Sequence, residues 1–177
     1  AVNLGLAANV LLAALKVTFG ILGHSPALLA DGVNSTSDVA YYIVVRVFME
    51  LARKPADREH PYGHSQLESI AALIVGAFVI TTAVAIFWDA VNTVYDLWSG
   101  QSTFEGAAPI ALVVALFTIV IKIGLMIYTR RIGKMTGNLA VAALAKDHSN
   151  DVFAASGAAL GIFLGRNGVP WGDPLAG

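Results

Sequence analysis

Ala145-Lys-Asp-His-Ser-Asn-Asp-Val152 is a polar knot inside an otherwise apolar stretch. Its two carboxylates, Asp147 and Asp151, are four residues apart. On a helix turning 100° per residue that spacing puts both on one face, one turn apart. The flanking runs Gly137–Leu144 and Phe153–Leu164 are mainly small and apolar. In a helix that crosses a bilayer, each carboxylate at mid-depth costs roughly 2.5–3.5 kcal/mol on insertion scales. A membrane helix keeps such residues where something compensates them or where they have work to do.

Composition makes the membrane the natural setting. The chain has 177 residues, 56% of them hydrophobic and only 13% charged, where a soluble domain carries about 25% charged residues. Mean hydropathy is +0.69. A net charge of −1 offers no basic excess for nucleic acid, and zero cysteines exclude disulfides, thiolate metal sites and a cysteine nucleophile. No nucleophile–base pattern suggests an enzyme. The chain opens at Ala1 within an apolar run, with no charged leader or cleavage signal. It stops at Pro174-Leu-Ala-Gly177 as a further apolar segment begins, so it reads as part of a longer membrane protein.

Five stretches are long enough to span about 30 Å of hydrocarbon at 1.5 Å per residue: 1–22, 27–51, 67–97, 107–128 and 138–164, with residues 166–174 leading towards a sixth. The expected fold is therefore an all-α integral membrane helix bundle. The loops after the second and fourth stretches hold Arg53, Lys54 and Arg58, and Arg130, Arg131 and Lys134. Loops 23–26 and 98–106 have no Lys or Arg. By the positive-inside rule the chain start and the loops 53–64 and 129–137 are cytoplasmic, in a bacterial inner membrane.

Other intramembrane polar residues have plainer readings. Lys16 and Lys122 suit snorkelling or paired structural roles. Trp88, Tyr95 and Trp98 fall where an interfacial aromatic belt belongs. Gly157, Gly161 and Gly165 form a row of small residues every fourth position, which favours close helix packing.

The knot has a counterpart in Leu29-Ala-Asp-Gly-Val-Asn-Ser-Thr-Ser-Asp38, where Asn34 and Asp38 also stand four apart and Asp31 sits one turn before them. Two such helices can converge on one four-cornered site of Asn34, Asp38, Asp147 and Asp151. A divalent cation there offsets the charge of the acids, and no intramembrane Arg stands opposite to pair them. Polar packing between helices is the alternative, but it ordinarily uses Ser, Thr or Asn rather than three acids. Carboxylate and amide oxygens suit hard ions such as Mn²⁺, Mg²⁺ or Ca²⁺, whereas imidazole and thiolate favour Zn²⁺ or copper. Lys146, the best rival partner for the acids, and His148 each lie about 100° from Asp147, which puts Lys146 outside the site and His148 next to the ligands or at the lipid boundary rather than among them. Asp57, His60 and His64, in the polar loop after the second stretch, form a second candidate site, weighed against a plain hydrogen-bonded loop.

Three ordered segments, Leu28-Leu-Ala-Asp-Gly-Val-Asn-Ser-Thr-Ser-Asp-Val39, His60-Pro-Tyr-Gly-His-Ser-Gln-Leu-Glu-Ser69 and Asp147-His-Ser-Asn-Asp-Val152, resemble the cation diffusion facilitator family. The resemblance runs over essentially the whole chain. It implies a homodimeric metal/proton antiporter of six helices per protomer with a cytoplasmic C-terminal domain, the sixth helix and that domain lying outside this chain. By position it assigns the transport site to Asn34, Asp38, Asp147 and Asp151, and the loop site to Asp57, His60 and His64. Zinc-transporting members have His at the position of Asp147 and His or Asp at that of Asn34. The set found here resembles manganese exporters, in agreement with ligand hardness. The implied substrates are Mn²⁺ (with Fe²⁺, Co²⁺ or Zn²⁺ as alternatives) and protons carried by Asp38, Asp147 and Asp151, with no cofactor. A membrane metal sensor or scaffold without flux would share the same site.

Overall fold

The computed structural model describes residues 2–52, 54–55, 61–64, 66–101, 103, 106–137 and 139–177. Among them lie five long helices and one short one: α1 Val2–Leu22, α2 Pro26–Ala52, α3 Gln66–Trp98, α4 Pro109–Thr136, α5 Leu139–Arg166 and α6 Gly172–Ala176. Three of these are long and apolar enough, by length and composition, to cross a membrane: Leu4–Leu22, Ser69–Trp98 and Pro109–Thr136. The other two, α2 with 27 residues and α5 with 28, exceed the roughly 20 residues a crossing needs. They are the two that carry the polar stripes.

Two antiparallel hairpins, α1–α2 and α4–α5, form the densest packing. At the α1–α2 turn, Ser25 caps α2 by accepting a hydrogen bond from Leu28 N (3.2 Å), and Pro26 takes the first helical position, where a missing N–H costs nothing. Further along, Gly32 lets α1 come close: a Cβ there would lie 2.8 Å from Val17 N. Gly20 does the same from the other side, 2.7 Å from Leu29 N. The hairpins meet at the end away from the basic segments, where Ala27, Leu28, Ala111, Ala115, Ala158 and Ile162 share one buried cluster. Ala108 N donates to Gly23 O (2.8 Å) and joins the start of α4 to the α1–α2 turn. By contrast α3 packs beside α2 and α6 and leaves Phe78, Phe87 and Trp88 largely exposed along its length.

Asp173, at the start of α6, is fully buried. It accepts hydrogen bonds from Ser25 Oγ (3.0 Å) and Ala27 N (2.9 Å), so a carboxylate from the far end of the chain sits at the N-terminus of α2, where the helix dipole favours it.

The observed α4 differs from the sequence expectation. Hydropathy ends that span at Tyr128, but the helix continues to Thr136. Arg130, Arg131 and Lys134 are good helix formers and extend it beyond the apolar segment. It stops at Gly137, whose left-handed backbone (φ 63°) ends a helix at little cost. Residues 129–136, expected as loop, are the last two turns of α4.

The candidate metal site between α2 and α5

Asn34, Asp38, Asp147 and Asp151 all line one cavity of about 290 Å³. The i,i+4 spacing on each helix does what the sequence pattern implies, and the two helices turn those faces towards a shared space. Asn9 of α1, Tyr41 and Tyr42 of α2, and Leu144 and Asn150 of α5 complete the wall. Every polar side chain on it contributes oxygen or amide nitrogen; no imidazole or sulfur lines it. A water occupies about 30 Å³ of liquid, so the cavity has room for a divalent ion that keeps several waters. Among the described residues, no three acid or imidazole side chains come together as a ready metal shell. The candidate ligands bound an open space rather than a closed cage.

Among the described residues no Arg stands opposite the acids, but two buried lysines do. Lys122 of α4 is 1% exposed and bonds Asp151 Oδ2 (2.5 Å) and Asn9 Oδ1 (2.8 Å). Lys16 of α1 is fully buried, 2.8 Å from Asp31 Oδ2, and donates to Ser35 Oγ (3.0 Å). Of the two readings for these lysines, paired rather than snorkelling is the one observed. The Lys122 bond leaves Asp151 Oδ1 as the oxygen free of that contact. Asp38 and Asp147 have no ion pair among the described residues, and Asp38 lies within electrostatic range of both Asp147 and Asp151.

Sequence reasoning passed over Asn9 and read Lys122 as structural without joining it to the site. A signal for each was present. Asn9 and Lys16 are seven apart, and Thr118, Lys122 and Thr129 follow spacings of four and seven. Each set is thus a polar stripe on one face of an apolar helix, and all of these residues are buried.

Lys146 lines a different groove on the other side of α5. His148 is fully buried, so it is not at the lipid boundary. Its Nδ1 lies 3.8 Å from Asp151 Oδ2, on the side where Gly5 of α1 leaves room for the ring. It stands beside the candidate ligand Asp151 and does not line the cavity. The glycine row divides: Gly161 packs against Gly172 and Ala176 of α6, and Gly165 is buried, facing Gly106 and Gly172. Gly157, expected to pack with them, has nothing within 4 Å of where its Cβ would be. Of the loop candidates, Asp57 and His60 lie outside the described residues. His64 is half-buried at the turn before α3.

A family model for the cation efflux transmembrane domain matches residues 2–177. The chain is 32% identical over 172 residues to the uncharacterized transporter YdbO of Bacillus subtilis, covering 97% of this chain and 58% of that protein. It is 35% identical over 161 residues to the manganese efflux system protein MneP of the same organism, covering 91% and 52%. For the manganese efflux system protein MneS the figures are 30% over 170 residues, 96% and 57%. The chain therefore spans a little over half the length of these relatives.

Proposed function

The chain belongs to the cation efflux family, and from that premise we propose that it carries a divalent metal ion, Mn²⁺ first, out of the cytoplasm in exchange for protons. The observation that carries this reading is the gathering of Asn34, Asp38, Asp147 and Asp151 round one cavity without an imidazole or thiolate. Hard oxygen donors favour Mn²⁺ over Zn²⁺ at such a site, and two of the relatives are named for manganese efflux.

In the proposed cycle the carboxylates take the ion from the side of the basic segments, which the positive-inside rule makes cytoplasmic. The free oxygen of Asp151, both oxygens of Asp38 and Asp147, and the Asn34 amide replace part of its hydration shell. Rocking of the α2–α5 pair against the remaining helices then opens the site to the other face. Protons arriving there compete for Asp38, Asp147 and Asp151, release the metal and reset the carrier. Lys122 fits this scheme as the group that fixes the Asp151 carboxylate from behind, leaving one of its oxygens for the ion. A homodimer is part of the proposal, as is a cytoplasmic metal site at Asp57, His60 and His64.

Transport by the full-length protein in proteoliposomes tests it. Mn²⁺ uptake is expected to drive counter-movement of protons, and Asp147→Ala is expected to abolish both. Metal binding without flux in the unsubstituted protein would make it a sensor or scaffold instead. Retained Mn²⁺ flux in the Asp147→Ala protein would remove this site from the pathway.

A further inference from the structure

The α4–α5 hairpin has a second cavity, of about 520 Å³, separated from the metal-site cavity by α5, with Asn150 lining both. Arg130 and Lys134 of α4 and Lys146 of α5 line it, with Met126 and Phe153 at the deeper end. The floor is formed where Gly133 meets α5: a Cβ at Gly133 would lie 3.2 Å from Ala142 N. That close approach sets the register of the antiparallel pair. Three residues back from Gly133 is Arg130 and three on from Ala142 is Ala145, so Arg130 is level with Ala145, one residue before Lys146. No carboxylate lines the groove, and none of the three cations is in an ion pair among the described residues.

Three like charges gathered on one groove repel unless an anion stands between them. The positive-inside rule accounts for basic residues at the end of α4, but not for Lys146. Lys146 is the eighth residue of α5, about 10 Å from its start. A 28-residue helix is about 42 Å long and overhangs a 30 Å hydrocarbon core by about 6 Å at each end. Lys146 is then a few ångströms inside the hydrocarbon edge, where its stem reaches back to the level of lipid phosphates. Met126 and Phe153 continue the groove towards the bilayer centre, where an acyl chain runs.

We propose that this groove binds an anionic phospholipid. Its phosphate accepts hydrogen bonds from Arg130, Lys134 and Lys146, and an acyl chain lies against Met126 and Phe153. Basic pockets between membrane helices near one interface hold lipid headgroups in this way. The assignment rests on the membrane-spanning fold and not on the identity of the metal. A headgroup seated here touches the turn of α5 that carries Asp147 on its other face.

Native mass spectrometry of the full-length protein with equal phosphatidylglycerol and phosphatidylcholine tests the assignment. Phosphatidylglycerol is expected to bind about tenfold more tightly, on the order of what a few interfacial cations supply. Arg130→Gln combined with Lys134→Gln and Lys146→Gln is expected to bring it down to the phosphatidylcholine level. Lys146→Gln alone is expected to give part of that loss. Arg131→Gln, a neighbouring exposed cation outside the groove, is expected to leave the preference intact. A preference that survives the triple substitution, or that Arg131→Gln removes equally, overturns the proposal. So does displacement of the lipid by millimolar inorganic phosphate, which would make the groove a small-anion site. All substituted side chains are exposed, and an unchanged thermal midpoint in detergent confirms that each variant is folded.

Discussion

Lys122 is the residue on which the site's electrostatics turn. It is buried, and its ammonium holds one oxygen of Asp151 together with the Asn9 carbonyl. Replacing it by Met leaves a carboxylate without its counter-charge. Breaking a buried pair from one side costs about 3–5 kcal/mol, and the lower end applies because Asp151 is 12% exposed to the cavity. Lys122→Met is therefore expected to lower the thermal midpoint in detergent by several degrees. Adding Asp151→Asn is expected to restore most of the loss, since the double variant buries no unpaired charge. Selectivity is tested at the same scale: Asn34→His with Asp147→His is expected to move transport from Mn²⁺ towards Zn²⁺ by supplying imidazole ligands, read as the ratio of the two initial rates. That the four candidate residues share a cavity was legible because an i,i+4 pair on a helix fixes a shared face from spacing alone. Their cationic partners were not, because which face of α1 or α4 meets α2 and α5 depends on packing between helices. The polar stripes Asn9–Lys16 and Thr118–Lys122–Thr129 marked those faces without saying what they would touch.

At the scale of the element, the glycine in Ala30-Asp-Gly-Val-Asn34 has a mechanical role. Gly32 brings the α1 backbone near enough for Lys16 to reach both Asp31 and Ser35. A Val at this position drives its methyls into Val17 N, and overpacking of that kind costs about 1–3 kcal/mol. Gly32→Val is expected to destabilise the α1–α2 hairpin, measured as faster proteolysis at the turn Gly23–Ser25. Gly157→Ala, where nothing lies within 4 Å, is expected to be silent in the same assay. Most of the five long helices could be placed from hydropathy. The exception, the C-terminal end of α4, is instructive. Hydropathy reports where the bilayer ends, and helix propensity with a left-handed glycine reports where the helix ends. At α4 these differ by two turns.

The whole molecule places its packed core at one end and its basic segments at the other. The chain has no cysteine, so single cysteines can report orientation. Met135→Cys, 83% exposed near the end of α4, is expected to react with an impermeant thiol reagent from the cytoplasmic side only, and Gln101→Cys from the opposite side only. Proton competition also has a definite sign. A cation that displaces protons from carboxylates binds more tightly as pH rises, and an ion that displaces none is indifferent to pH. The apparent Mn²⁺ affinity is therefore expected to fall as pH is lowered, seen as a rise in half-saturating Mn²⁺ in binding titrations.

The two lysine–carboxylate pairs also bear on how the chain enters the bilayer. Each joins a helix to the one made just before it: Lys16 of α1 to Asp31 of α2, and Lys122 of α4 to Asp151 of α5. The later helix of each couple is the one too polar to qualify for crossing by itself, and its predecessor qualifies readily. Insertion of α2 and α5 is therefore expected to depend on their hairpins, the cation of the first helix offsetting the anion of the second. In a glycosylation-reporter assay of membrane integration, α2 following α1 is expected to integrate more efficiently than α2 alone. Lys16→Leu is expected to erase that advantage although it makes α1 itself more hydrophobic.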